Sequence, residues 1–219
     1  VVFEDLPGFG ERNQQSSPSS IEKIAELLAP RLESLYKEVG HKIHLLGISM
    51  GGMVALALAE RYPHYCESLV MINSSVKPIS SFYERLQPIA YPAFVKAWFH
   101  PFKLQSEREI LNISTARYKN DAQVLARWLD LREQAPPSRM AVLKQMLAAS
   151  SFRAPVQAPI KKLLLIASQK DRVVSCSCSL KLAKFWNVPV LVHYQAGHDL
   201  ALDDPLWLAG QLFNYYSKN

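Results

Sequence analysis

The chain has 219 residues, 49% of them hydrophobic and 20% charged, enough for one sizeable core and too evenly mixed for a disordered or low-complexity protein. The net charge of +6, from 25 basic and 19 acidic side chains, is mild, and no dense Lys/Arg stripe interleaved with aromatics marks a nucleic-acid surface. No signal peptide or membrane span is legible, and three cysteines, an odd count, suit free thiols in a reducing, cytoplasmic compartment better than a disulfide framework or a metal site.

Val1–Glu4 is short, apolar and β-branched at its start, and reads as a strand ending at the dense turn signal Asp5-Leu6-Pro7-Gly8-Phe9-Gly10. After a polar loop, Ser19 with Glu22 fits a capping box. The helix it opens carries Ile21, Ile24, Leu28, Leu32, Leu35 and Val39 near helical spacing, with Pro30 as a kink and Gly40 as a stop. "KIHLLG" predicts a buried strand, Met50 to Arg61 a helix, and "SLVMIN", "KKLLLIAS" and "VPVLVHY" three further strands. Helices are predicted at Ser175–Trp186 and from Asp204-Pro205, a cap followed by proline. Continuous apolar strands alternating with helices argue for a parallel α/β sheet covered on both faces. From Pro78 to Phe152 no strand is legible, only helical segments such as Ser106–Lys119 and Asp121–Gln134. This stretch holds ten Lys/Arg against six Asp/Glu and many aromatics. The expected organisation is therefore a core of residues 1–77 and 153–219 with a helical cap insertion at 78–152.

The run "HLLGISMGGMVALALAE" contains three glycines in six residues, Gly47, Gly51 and Gly52, each costing a helix about 1 kcal/mol relative to alanine. Tight backbone is the requirement they meet. Gly47-Ile48-Ser49-Met50-Gly51 is G-x-S-x-G between a predicted strand and a predicted helix, the setting in which a sharp turn lifts a serine hydroxyl out of the sheet. The Met50 N–H, at the helix start, would then face an oxyanion. A serine needs a base, and the base an orienting acid, in the order serine, acid, histidine. Asp171 follows the strand "KKLLLIAS" and His198 follows the last strand, each where a strand gives way to a loop. Asp199 adjoins His198, but adjacent side chains diverge, so it does not replace Asp171. Asp203 and Asp204 read as helix caps, and His41, His44, His64, His100 and His193 as ordinary loop or packing histidines. Asn73-Ser74-Ser75 and Asn112-Ile113-Ser114 match the glycosylation pattern, one that chance often produces.

These motifs resemble the α/β-hydrolase superfamily, in particular small esterases with a helical cap such as the pimeloyl-carrier methyl ester esterases and bacterial carboxylesterases. "DLPGFG" resembles the turn after that family's fourth strand, "GISMGG" its nucleophile elbow, "SQKDRVV" its acid turn and "GHDLALDDP" its histidine turn. The resemblance implies a serine hydrolase of carboxylic esters with Ser49 as nucleophile, His198 as base, Asp171 as acid and Met50 in the oxyanion hole. No cofactor and no metal are implied. Phe82, Tyr83, Trp98 and Phe99 are the aromatics expected to line an acyl pocket, packing between cap and sheet being the alternative. Serine at the elbow speaks against haloalkane dehalogenases and epoxide hydrolases, but not against thioesterase, C–C hydrolase, lactonase or hydroxynitrile lyase chemistry. Two alternatives to a free small-molecule ester remain: an acyl group held on an acidic carrier protein, motivated by Arg85, Arg108, Arg117, Arg127, Arg132 and Arg139, and a non-catalytic ligand-binding member. The family's usual second oxyanion donor comes from a His-Gly loop after its third strand. No such motif precedes Val1, that strand would lie between Val1–Glu4 and Lys42–Leu46, and the chain opens without methionine. A fragment lacking three strands and half the oxyanion hole is the expectation.

Overall fold

Apolar runs with no polar alternation need cover on both sides, and the computed structural model, which describes residues 1–99 and 102–217, supplies it. Four strands, β1 (Ile43–Ile48), β2 (Cys66–Ile72), β3 (Leu163–Ser168) and β4 (Val190–His193), form one parallel sheet in the spatial order β1-β2-β3-β4. Alternate residues of the two central strands enter different cores. Leu69 and Met71 of β2 and Leu163 and Leu165 of β3 pack with α1 (Ile21–Val39), α2 (Met50–Arg61) and α8 (Cys176–Trp186). Val70, Ile72, Leu164 and Ile166 point the other way, against α9 (Leu200–Asp203) and α10 (Pro205–Ser217). β1 and β4 are edge strands and are only partly buried.

Between β2 and β3 the described residues form five α-helices: α3 (Phe82–Arg85), α4 (Tyr91–Phe99), α5 (Lys103–Ser114), α6 (Ala122–Gln134) and α7 (Arg139–Ser151). It departs and returns side by side: Lys77 bridges Arg153, its N–H donating to the Phe152 carbonyl at 3.1 Å and its carbonyl accepting from Ala154 at 2.6 Å. Glu84 of α3 pins this insertion to α8, accepting from Lys181 and Ser177 and capping its own helix through Ser81. Those bonds, the Lys181 bond foremost, lower its carboxyl from the ordinary 4.5 to about 2. A depressed carboxylate contributes stability above its unfolded value and loses it as pH falls through the folded one. Thermal stability is therefore expected to fall between pH 4.5 and about 2, and Glu84→Gln to flatten that fall, as melting curves across the range would show.

Several expectations need correction. Val1–Glu4 is not a strand: Val1 and Phe3 are exposed, and Glu4 pairs with Arg12 and Arg31. A strand exists only where a neighbour takes its N–H and C=O groups, and among the described residues none lies beside this segment. The first long helix is capped by Ser20, not Ser19, and runs through Pro30 to end at Gly40 in the left-handed conformation. The helix expected over Ser106–Lys119 is α5, which begins and ends earlier, at Lys103 and Ser114. It stops because the N–H groups of Ala116 and Arg117 donate to the Asp203 carboxylate, at 2.8 and 3.0 Å, instead of to helix carbonyls. Cys66 and Cys178 are buried, and burial pushes each thiol up to about 11, leaving them unreactive.

Candidate active site

Ser49 sits at the hinge between β1 and α2 with φ +53° and ψ −120°, outside the regions that L-residues populate freely. The sharpness of this turn needs the glycines. A Cβ on Gly47 would lie 2.3 Å from the carbonyl carbon and oxygen of Gly51, and one on Gly52 would lie 3.0 Å from the Ser74 side chain. Gly51 itself has open space where a Cβ would go, so close approach does not explain that glycine. The Ser49 N–H still donates to the Ile72 carbonyl at 2.8 Å, so the elbow grows directly out of the sheet. Met50 is the first residue of α2, where helix geometry leaves N–H groups without intrahelical partners and the dipole favours negative charge.

Asp171 lies three residues past β3 and is only 7% exposed. One oxygen, Oδ1, accepts from the N–H groups of Val173 and Val174 at 2.7 and 2.9 Å. The other, Oδ2, is 2.7 Å from His198 Nδ1. With Oδ1 held by two backbone donors, Oδ2 is turned to the imidazole, an arrangement that favours the tautomer with its proton on Nδ1. Nε2 is then the ring nitrogen turned away from Asp171. The insertion braces both loops. Gln87 donates from its side chain to the Asp171 carbonyl at 2.7 Å and from its backbone to Val173 at 2.8 Å, while the Asp199 N–H donates to the Ser114 carbonyl at 2.8 Å.

A cavity of about 460 Å³ opens beside Ser49 and Met50. Its walls are Phe9 from the first turn, Met53, Phe82, Leu86, Phe94, Val173, Val174 and a run of α7 that includes Val142, Leu143, Met146 and Leu147. Of the four aromatics expected there, only Phe82 is in the lining. Tyr83 is 67% and Phe99 75% exposed, and the Trp98 ring lies 5.9 Å from the Arg139 guanidinium carbon. Phe82 is itself 53% exposed and reaches the cavity at its mouth, while Tyr83, the next residue of the same helical turn, faces a different way. The aliphatic face of α7 carries no aromatic or motif signal that would mark it in the sequence.

The remaining polar groups sort by position. Asp199 caps α9 through the Leu202 N–H, and burial raises its carboxyl. Asp204 caps α10 through Trp207 and faces His193, whose Nδ1 accepts from Gln195 and Ala196. Asp203, expected to be a helix cap, instead accepts from Gly197 as well as Ala116 and Arg117, tying the histidine turn to the insertion. His44 bonds Ser68, His64 stacks on Tyr65, His41 contacts the Lys42 carbonyl, and His100 lies outside the described residues. Asn73 is buried with its amide fully engaged, so it cannot accept a glycan. Among the described residues no three His, Cys, Asp or Glu side chains converge as a metal site requires, and no helix is long and apolar enough to cross a membrane.

The α/β-hydrolase family model matches residues 1–211, and the chain belongs to the alpha/beta hydrolase family. It is 25% identical to the pimeloyl-[acyl-carrier protein] methyl ester esterase of Vibrio vulnificus YJ016 over 98% of this chain and 82% of that one. It is 36% identical to lipase 1 of Psychrobacter immobilis over a shorter stretch, 34% of this chain and 23% of the lipase, so it spans under a quarter of that relative. Among solved structures, a hydrolase from Pseudomonas aeruginosa PA01 shares the fold at a TM-score of 0.74 and 21% identity, covering 97% of this chain and 77% of that one.

Proposed function

We propose that the protein is a serine hydrolase that cleaves carboxylic esters with apolar acyl groups. The observation that carries the reading is the 2.7 Å bond between His198 Nδ1 and a clamped Asp171, in a chain whose strained Ser49 lines an apolar cavity. Ser49 Oγ attacks the ester carbonyl carbon as His198 Nε2 takes its proton, and the Met50 N–H at the start of α2 receives the oxyanion. Asp171 keeps the imidazole in the tautomer that leaves Nε2 basic and stabilises the imidazolium. Collapse of the tetrahedral intermediate breaks the ester C–O bond, and His198 protonates the departing alcohol. Water, activated by the same imidazole, then releases the acid and restores Ser49. The cavity, with aliphatic and aromatic walls, takes the acyl chain.

A fluorophosphonate tests this directly. Intact mass should show one adduct on the wild-type protein and none on Ser49→Ala; an adduct that survives in Ser49→Ala would show that another group is the nucleophile.

A second reading has its own observation. Beside Asp171 an open concavity of about 780 Å³ carries Arg117, Lys119, Lys170 and Arg172, a basic surface suited to an acidic carrier protein that presents the acyl group. Arg85 does not contribute: it is buried and donates to the carbonyls of Ala149 and Ser150 at the end of α7, and Arg132 is paired with Glu107. On this reading, hydrolysis of a carrier-bound ester should fall steeply with added salt while the free ester is unaffected. Equal salt response of the two substrates would dismiss it.

A further inference from the structure

On the serine-hydrolase reading above, we propose that Asn73 and Ser74, the two residues leaving the tip of β2, are positioning residues that hold His198 and Ser49 in mutual register. Asn73 is 2% exposed, with φ +48°, a left-handed conformation that asparagine tolerates better than other side-chain-bearing residues. Its backbone N–H continues the sheet to the Ile166 carbonyl at 2.9 Å. Its side chain turns to the neighbouring loops. Oδ1 accepts from the Ser168 N–H at 2.7 Å, and Nδ2 donates to Ser168 Oγ at 3.0 Å, the Gly197 carbonyl at 3.3 Å and the His198 carbonyl at 2.7 Å. Partners of fixed character, a backbone N–H on one side and two carbonyls on the other, leave the amide one orientation. Ser168 ends β3, the strand that delivers Asp171, so this one amide joins the acid strand to the base turn.

Ser74 does the matching task for the nucleophile. Its hydroxyl donates to the carbonyl of Ser49 itself at 2.7 Å, in space left by the absent side chain of Gly52. A residue at φ +53° holds that conformation only when its surroundings over-determine it, and this bond is one of the constraints. The two bonds reach the carbonyls of the catalytic residues themselves, not of neighbours. Only an amide serves at position 73. A carboxylate would set oxygen against the Gly197 and His198 oxygens, and an apolar side chain would leave both carbonyls buried and unpaired.

The test compares Asn73→Asp and Ser74→Ala with Ser106→Ala, which removes a similarly buried hydroxyl bond, to the Ala97 carbonyl within the insertion. Two readouts are taken: the downfield proton resonance of His198 Nδ1, and kcat and KM for a p-nitrophenyl ester across pH. Asn73→Asp is expected to lower kcat about 100-fold with KM unchanged, the loss a misplacement of about 1 Å produces. It should also broaden the His198 proton and move the acid limb of kcat/KM to higher pH, because an added carboxylate favours the imidazolium. Ser74→Ala should lower kcat about tenfold with the His198 proton intact, because only the elbow is released. Ser106→Ala should change melting temperature alone. If Asn73→Asp and Ser74→Ala only melt earlier, with kcat per folded molecule, acid limb and resonance unchanged, their role is structural and the proposal is overturned. Should Asn73→Asp fail to fold, Ser74→Ala decides by the same kcat criterion. A wild-type protein that hydrolyses no ester and takes no fluorophosphonate would sink the serine reading instead. Loss of its His198 resonance in Asn73→Asp would still uphold the placement of the base.

Discussion

Ser49→Gly is expected to abolish ester hydrolysis and to raise thermal stability. The two effects have one origin. At φ +53° and ψ −120° the serine backbone carries strain of about 1–3 kcal/mol, which glycine, lacking a Cβ, does not. Glycine gives back about 0.5–1 kcal/mol through the greater freedom of its unfolded chain, leaving a net gain of about 1 kcal/mol. Ser49→Ala is the partner measurement: it removes the hydroxyl but keeps the Cβ and the strain. Both variants should lose about 10⁵-fold or more in kcat, the scale on which removal of an activated nucleophile acts. Only the glycine variant should melt above wild type. Equal melting temperatures for the two would show that the strain does not exceed glycine's cost of about 0.5–1 kcal/mol, and a loss under tenfold in either would assign the attack to a different group.

Asp171→Asn should lower kcat about 10⁴-fold without disturbing the fold. The reason lies in the fixed partners of each oxygen. Val173 and Val174 present N–H donors, so the amide must turn its oxygen to them and its NH₂ to His198 Nδ1. Nδ1 becomes an acceptor, the ring proton moves to Nε2, and the nitrogen facing the substrate can no longer take a proton. Steady-state kinetics with circular dichroism checks both halves. A loss under tenfold would mean that another carboxylate orients the imidazole; Asp199 would be examined first, although its side chain is engaged at the start of α9.

What could be read from the chain and what could not divide along sequence distance. The four strands, the helix after Ser49, the glycine spacing of the elbow and the order Ser49, Asp171, His198 rest on periodicity, turn chemistry and motif context, each local to a few residues. Val1–Glu4 shows the limit of that kind of evidence, since its pattern is a strand's and no neighbour accepts its hydrogen bonds. The α5 boundary shows it again: Ser106–Lys119 has helical character, but a carboxylate 87 residues further along takes the N–H that the helix would have used. The cavity beside Ser49 takes part of its wall from aliphatic residues of α7 and only Phe82 of the four expected aromatics, because the facing of each side chain is set by how these helices seat on the sheet.

By itself, then, the sequence determined the four strands, the covered parallel sheet and the identities of the residues at the three loop positions. Tertiary structure alone decided that Asn73, a match to a glycosylation pattern, spends its amide on Ser168 and His198, 95 and 125 positions away. It also decided that Asp203 binds three backbone N–H groups from two loops. A buried amide or carboxylate must be satisfied by whatever polar groups the folded chain brings within about 3 Å, and no local pattern encodes who those neighbours will be.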